Sequence, residues 1–420
     1  MKKAWIYSFL MMMIIALLAG CNAENADSPA EQEPVTISIL NWNGLTEDEF
    51  DKFYLEPVSK HLPHITLKLA GKESGEPADA IAKHVMSGEM PDLIYVSNKD
   101  INHFINAEVV YNLEELVKKN QFDLDRFMAP AVESVMKPEV GLAAIPWAQN
   151  IGLIVYNKDI FDQFGVQYPK DLMTWEEMIT LARNLTRLVD NVQYLGFKPS
   201  SMSQFAQSLS VSYVSPEGKA LVDTPTWHRI LNFYKDLYAI PGYKEDYSGT
   251  FFGTKTVAME AQWISTVLIQ AESAPDVNWD VIGLPNFEER LGIGREVDAH
   301  TLAVSITSEH KEQALQVIQV VMSDEVQSKM SRYGRAPVLD DDQILSNYGG
   351  DRDYMAGKNW EAVFAVTPGE LRENATVHDS MILRMINPLA ERIRNGETDI
   401  NTMLREVQQE ADSALQAAMN

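Results

Sequence analysis

Val35-Thr-Ile-Ser-Ile-Leu40 sets β-branched residues in near alternation with polar ones, the period of a half-buried strand. It runs into Asn41-Trp42-Asn43-Gly44. Glu47 to His61 then carries Phe50, Phe53 and Tyr54 along one side of a helix. A second strand, Ile65-Thr-Leu-Lys-Leu69, is followed by a Gly/Pro/charge loop and a helix from Ala78 to Ser87, stopped by Gly88. Asp92-Leu-Ile-Tyr-Val-Ser97 reads as a third strand. This strand–helix–strand–helix–strand order predicts an α/β domain with a largely parallel sheet.

Ile151 to Tyr156 is an apolar run suited to a buried strand, yet Pro146-Trp147-Ala148-Gln149-Asn150 stands directly before it. A bulky aromatic and two amides look fitted to hold something rather than to turn the chain. Beyond it the pattern is mostly helical. Thr174-Trp175-Glu176-Glu177 is a capping box opening a helix to about Leu188. Pro225 to Leu237 has an apolar stripe of Ile230, Leu231, Phe233, Tyr234 and Leu237. Val277 to Ile282 and His300 to Ile306 alternate like strands. A helix from Ser308, its candidate cap, reaches about Met322, and the last helix spans roughly Thr402 to Ala418.

Length and charge narrow the class. A chain of 420 residues exceeds one ordinary core and predicts two domains. A net charge of −25 disfavours nucleic acid and anionic lipid as partners. At the N-terminus, Lys2 and Lys3 precede the apolar run Phe9 to Ala19, which has signal-peptide proportions. The single cysteine, Cys21, follows in Leu18-Ala19-Gly20-Cys21, similar to a bacterial lipobox whose cysteine is lipidated. A plain secretory signal or a membrane anchor with Cys21 incidental is the alternative. Residues 1–20 are thus expected to be removed and 21–34, rich in Ala, Glu and Pro, to form a flexible tether.

Zinc, thiol-redox, nucleophile-elbow and phosphate-loop motifs are absent from the sequence, and no cofactor is expected. Gly292-Ile-Gly294 lacks the third glycine of a dinucleotide loop and reads as a plain loop. Chance carboxylate pairs leave a glycosidase-like dyad open. Present instead are aromatics and small amides at strand ends: Trp42 and Asn43; Ser97 and Asn98; Trp147, Gln149 and Asn150. Ligands of open α/β sheets sit outside the carboxyl ends of strands. Aromatic faces against sugar C–H groups, with amides on the hydroxyls, make a neutral polyol site. Taken singly, a tryptophan is more often core than ligand-facing; the coincidence of three strand-end sites brings the two readings level.

Several motifs stand in order: Pro91-Asp92-Leu-Ile; Ile145-Pro146-Trp147 leading to Tyr156-Asn157-Lys158-Asp159-Ile160-Phe161; Thr174-Trp175-Glu176-Glu177; Lys255-Thr-Val-Ala-Met259 with Trp263; Gly283-Leu-Pro285; and Ser305 to Glu312. Together they resemble the extracellular solute-binding proteins of ABC importers, the branch that includes maltose-binding protein. The resemblance implies a two-lobed periplasmic-binding-protein-like α/β fold with an interlobe hinge and a central ligand cleft. Lobe 1 is expected to comprise 35–147 with about 286–335, and lobe 2 148–285 with about 336–420. Pro146 to Asn150 would be a crossing segment and Tyr156 to Asp159 a structural turn. The implied function is capture of a carbohydrate, an oligosaccharide by preference, by a lipid-anchored monomer outside the cytoplasm, which delivers it to ABC permease transmembrane subunits. The rival readings are a secreted carbohydrate-active enzyme and a ligand-sensing partner of a membrane receptor.

By the family pattern Trp42, Asn43, Ser97, Asn98, Trp147, Gln149, Asn150 and Trp263 are ligand contacts. Asp298 and His300 join them as weaker candidates, a surface loop being the alternative for each. For Arg335 two readings stand: it lines the third crossing, or it pairs with an acid. The chain departs from the pattern in Ala261-Gln262-Trp263, where a glycine often precedes the tryptophan, and in Ser97-Asn98-Lys99, where acidic residues are usual.

Overall fold

The computed structural model describes residues 33–72, 76–243, 249–373, 375–376, 378–397 and 399–419. The expected signal peptide, Cys21 and nearly all of the tether lie outside the described residues; Glu33 and Pro34 are exposed and in no regular element. From Thr36 onward the chain is one compact unit.

Two sheets organise that unit. Their strands are β1 (Val35–Asn41), β2 (Ile65–Lys72), β3 (Leu93–Ser97), β4 (Ile145–Asn150), β5 (Gly152–Asn157), β6 (Met259–Trp263), β7 (Trp279–Gly283), β9 (Asp298–Val304) and β10 (Ala336–Pro337). A separate parallel ribbon joins β8 (Ile293–Glu296) to β11 (Thr367–Gly369). The first sheet has the order β10-β4-β9-β3-β1-β2, and the second β6-β5-β7. β1 and β3 are parallel, with Leu40 opposite Ile94. The expectation of a largely parallel sheet is corrected by β9, which returns from the far half of the chain and runs antiparallel to both β3 and β4. The second sheet is antiparallel throughout.

Every residue of β3 is buried, because helices and loops cover both faces of a central strand. On one side lies the segment Glu47–His61. It is capped by the Thr46–Glu49 box and loosened into a π-helical turn over Asp51–Leu55, which packs Phe53 and Tyr54 inward. The Pro91-Asp92 motif is structural. The Asp92 carboxylate accepts from Ser38 N at 2.9 Å, Ser38 Oγ at 2.7 Å and Ser308 Oγ at 2.7 Å, tying β1, β3 and the segment after β9 together. Ser308 Oγ also accepts from His310 N at 3.1 Å, but the helix begins only at Lys311 with His310 at its N-cap, so Ser308 is not the expected cap.

Helices α1 (Trp175–Leu185) and α2 (Pro225–Tyr238) pack with the C-terminal helix (Ile400–Met419) around a second core containing Trp175, Phe205 and Trp227. The Thr174–Glu177 capping box is formed as expected. Tyr156-Asn157-Lys158-Asp159 is the anticipated turn: Asn157 Oδ1 accepts from Asp159 N and Ile160 N and opens a helix.

The fold is two-lobed α/β, and its strands move each expected boundary. All of β4 to Asn150 belongs to the first sheet, so the chain changes lobe at Ile151 and not after Trp147. Residues 286–296 stay with the second lobe, where Phe287 joins its core, and the return occurs at Val297. β10 pairs with β4, which carries the first lobe past Arg335.

Candidate functional site

Each of the first two crossings is one residue long. Ile151 separates β4 from β5, and Val297 separates β8 from β9. The crossings lie side by side, since Asp298 is opposite Asn150 in the β4–β9 ladder. Around them gather the ends of strands from both lobes.

Trp263 is the last residue of β6, opposite Gly152 and half-buried, rather than on a helix. Helix α3 (Ile264–Glu272) starts at the next residue, anchored by Ile264 N donating to Ile151 O and Ser265 N donating to Asn150 Oδ1 at 3.3 Å. The Trp263 ring meets two cations. Arg295 Cζ is 4.4 Å from its centroid, and Lys99 Nζ, from the end of β3, is 5.7 Å away. Lys99 also lies 3.6 Å from Asp298 Oδ1. A side chain of the second lobe therefore stands among charged groups of the first lobe and of the crossing.

The expected contacts divide into three groups. Trp42, Asn43, Asn150, Trp263 and Asp298 are half-buried at these strand ends. Trp42 packs edge-on against Phe104 with centroids 5.1 Å apart, and the N–H groups of Trp42 and Asn43 both donate to Tyr95 O.

The second group holds the fold together, which corrects its expected role. Trp147 is fully buried, 5.3 Å from Tyr54, 5.6 Å from Tyr95 and 6.3 Å from Phe53 between ring centroids; its indole is closed off from any ligand. Asn98 is 1% exposed, and both ends of its amide are engaged: Nδ2 donates to Val297 O at 3.1 Å and Oδ1 accepts from Ala299 N at 3.1 Å. Ser97 Oγ accepts from Asp100 N, and Gln149 Nε2 donates to Pro337 O.

His300 and Arg335 form the third group, a polar network that joins the interior strands β3 and β9 to the residue before β10. Asp298 and His300 are strand residues of β9 and not loop residues. Tyr95 Oη is 2.9 Å from Arg335 Nη2 and 2.7 Å from His300 Nδ1, and Arg335 also contacts His300 Nδ1. Guanidinium only donates, so His300 Nδ1 is an acceptor and Tyr95 donates to it. Burial, with the Arg335 charge adding to it, lowers the His300 pKa to about 3. Arg335 has an acidic partner and a cavity beside it. It pairs with Glu49 at 3.4 Å, and it lines an interlobe cavity of about 320 Å³ together with Glu49, Asn150, Ser265, Glu272 and Arg352.

Two groups at the site escaped the sequence. Arg295 directly follows Gly292-Ile-Gly294, read as a plain loop but in part strand β8, and it threads past Gly152, where an added Cβ would come 2.9 Å from Arg295 Cδ. Glu260 is 4% exposed on β6 and takes Lys198 Nζ at 3.3 Å, Gln262 Nε2 at 3.0 Å and Phe251 N at 3.2 Å. The two glycines flanking Arg295's path, Gly152 and Gly294, were the available signal. Among the described residues no cluster of His, Cys, Asp and Glu is placed to hold a metal ion, and no helix is long and apolar enough to cross a membrane.

Comparison with known proteins gives this geometry a family. The profile of the family described as "Bacterial extracellular solute-binding protein" matches residues 45–328, well over half the chain. A putative ABC transporter periplasmic-binding protein, YcjN, of Escherichia coli K12 is 24% identical over 303 residues, 67% of this chain and 66% of that one. An arabinooligosaccharide-binding protein of Bacillus subtilis is 24% identical over 247 residues, 56% of this chain. The matches thus span 66% and 55% of these relatives' own lengths. The sugar-binding protein MalE of Xanthomonas citri shares the fold with TM-score 0.73 at 16% identity, covering 91% of this chain and 98% of that one. So does the substrate-binding protein Lmo0181 of Listeria monocytogenes, solved with cycloalternan, at TM-score 0.70 and 18% identity, covering 91% and 100%.

Proposed function

The chain belongs to the bacterial extracellular solute-binding protein family, one of binding proteins rather than enzymes, and on that premise we propose that it captures a carbohydrate between its lobes and presents it to the membrane subunits of an ABC importer. It acts as a monomer, tethered outside the cytoplasm through lipidated Cys21. The observation that carries the reading is the position of Trp263. An aromatic of the second lobe, half-buried at a strand end, stands beside Lys99 and Asp298 of the first. A sugar laid on that ring touches both lobes at once. Contacts to both lobes favour one relative orientation of them, and that differential affinity is what closes a hinge. Trp42, Asn43 and Asn150 supply the adjoining aromatic and amide contacts. The names of the relatives and fold neighbours, several of them sugar or oligosaccharide binders, support the choice of ligand class.

Melting in the presence of a panel of mono- and oligosaccharides tests it. A ligand at one hundred times its dissociation constant stabilises the fold by about 2.7 kcal/mol, a readable upward shift. A panel that includes neutral and acidic sugars and shifts nothing would refute carbohydrate as the ligand.

A further inference from the structure

Arg295 is 3% exposed, and none of its three guanidinium nitrogens has a hydrogen-bond partner among the described residues. The other arginines with an unpartnered atom, Arg290, Arg335 and Arg394, are only half-buried and each leave only Nε unmet. Arg372, mostly buried, is paired with Glu296 at 2.5 Å and Asp379 at 2.9 Å. Five idle N–H bonds on a buried cation are costly, and folds keep such a group only where something else satisfies it. One ring face covers it: Trp263, at 4.4 Å. The cavity at its side measures about 10 Å³, room for a single water, and is walled by residues 149–152 and 294–297, the two crossings with the strand ends beside them, and by Val366 and Pro368.

The nearby acids are all engaged by other cations. Lys99 faces Asp298 and Lys198 faces Glu260, one acid for each lysine. Arg372 takes both Glu296 and Asp379, so each of these acids is engaged by another cation and Arg295 pairs with none of them. We propose that Arg295 is an anion anchor, and that the carbohydrate this protein captures carries a carboxylate or phosphate group which docks on the guanidinium beside Trp263. The planar fork suits either oxyanion, offering two parallel N–H donors. The sugar ring then lies on the indole while its acid group reaches the edge of the cation behind it. The inference rests on the carbohydrate reading above and narrows it to acidic carbohydrates.

Calorimetric titration of the purified protein with a galacturonate oligomer, glucose 6-phosphate and a neutral galactose oligomer tests it, the first two arms separating carboxylate from phosphate. One acidic probe is expected to bind more tightly than the neutral one. Arg295→Met should weaken it on the order of a hundredfold and should raise the melting temperature of the ligand-free protein, because an uncompensated buried charge is removed. A merely structural arginine would lower that temperature. Arg295→Lys, which keeps the charge and loses the fork, should bind at an intermediate level and serves if the Met variant does not fold. Binding of the neutral oligomer alone, or an acidic probe held equally well by either variant, overturns the anion anchor and leaves carbohydrate capture standing. Binding of none of the three overturns the anchor, and the wider sugar panel decides the carbohydrate reading.

Discussion

Two tryptophans that the sequence offers as equals should behave as opposites. Trp147 is enclosed by Phe53, Tyr54 and Tyr95, with Arg335 5.5 Å from its ring. Its truncation to alanine removes a fully buried side chain and leaves a cavity, which costs roughly 3–5 kcal/mol. At about 2–4 °C per kcal/mol for a unit of 150–250 residues, the ligand-free protein should melt about 10 °C lower. Its ligand affinity, measured where the variant is folded, should be unchanged. Trp263 is half-buried and contributes mainly a ring over Arg295, an interaction of about 0.5–2 kcal/mol. Its loss lets water reach the guanidinium, which offsets part of that, so Trp263→Ala should move stability by about 1–2 kcal/mol at most. Binding should fall by about ten- to a hundredfold, the usual cost of losing an aromatic anchor. Calorimetric titration beside melting of the ligand-free variants separates the two residues. If Trp263→Ala melts as low as Trp147→Ala and binds with unchanged affinity, Trp263 is a core residue and the site lies elsewhere.

Acid should loosen the first lobe through His300. Its folded pKa of about 3 lies below the ordinary value of 6.5, so the unfolded chain takes up the proton first. The stability that depends on neutral His300 is complete above about pH 6.5 and is lost as pH falls toward 3, with a slope of up to about 1.4 kcal/mol per pH unit. Denaturation midpoints of wild type and His300→Gln between pH 7 and 4 should converge on acidification; parallel curves would refute the assignment. Cys21→Ser should release the protein from membranes without changing its melting temperature, as read by fractionation; a variant that stays membrane-bound would refute the lipid anchor.

The elements with strong local signals were legible in the chain: the strand after Ile151, the capping box read from Thr174, and the Asn157 turn all depend on neighbours within a few residues. The role of Trp147 was not. In β4 five of six positions are buried, because both faces of a central strand are covered, and alternation then carries no information about which face meets a ligand. Asn98 misled for a related reason. An amide at a strand end is equally suited to a sugar hydroxyl and to the backbone of a neighbouring strand, and the neighbour here, β9, arrives from about 200 positions later. Arg295 was invisible because its setting is made by Gly152 and Trp263, residues far away in sequence whose meeting with it is a property of the fold.

Two pins set side by side let a pair of plates swing but not slide, and Ile151 and Val297 are such pins. Swing about a line through them leaves Trp263 and Arg295, close to the line, almost where they were. β2 lies three strand spacings from β9, about 14 Å, and its end of the first lobe sweeps a long arc. A ligand group gripped at the line supplies grip without leverage over the angle between the plates. Leverage belongs to whatever part of the ligand reaches outward, so a longer ligand holds the swing at a narrower angle than a short one carrying the same gripped end.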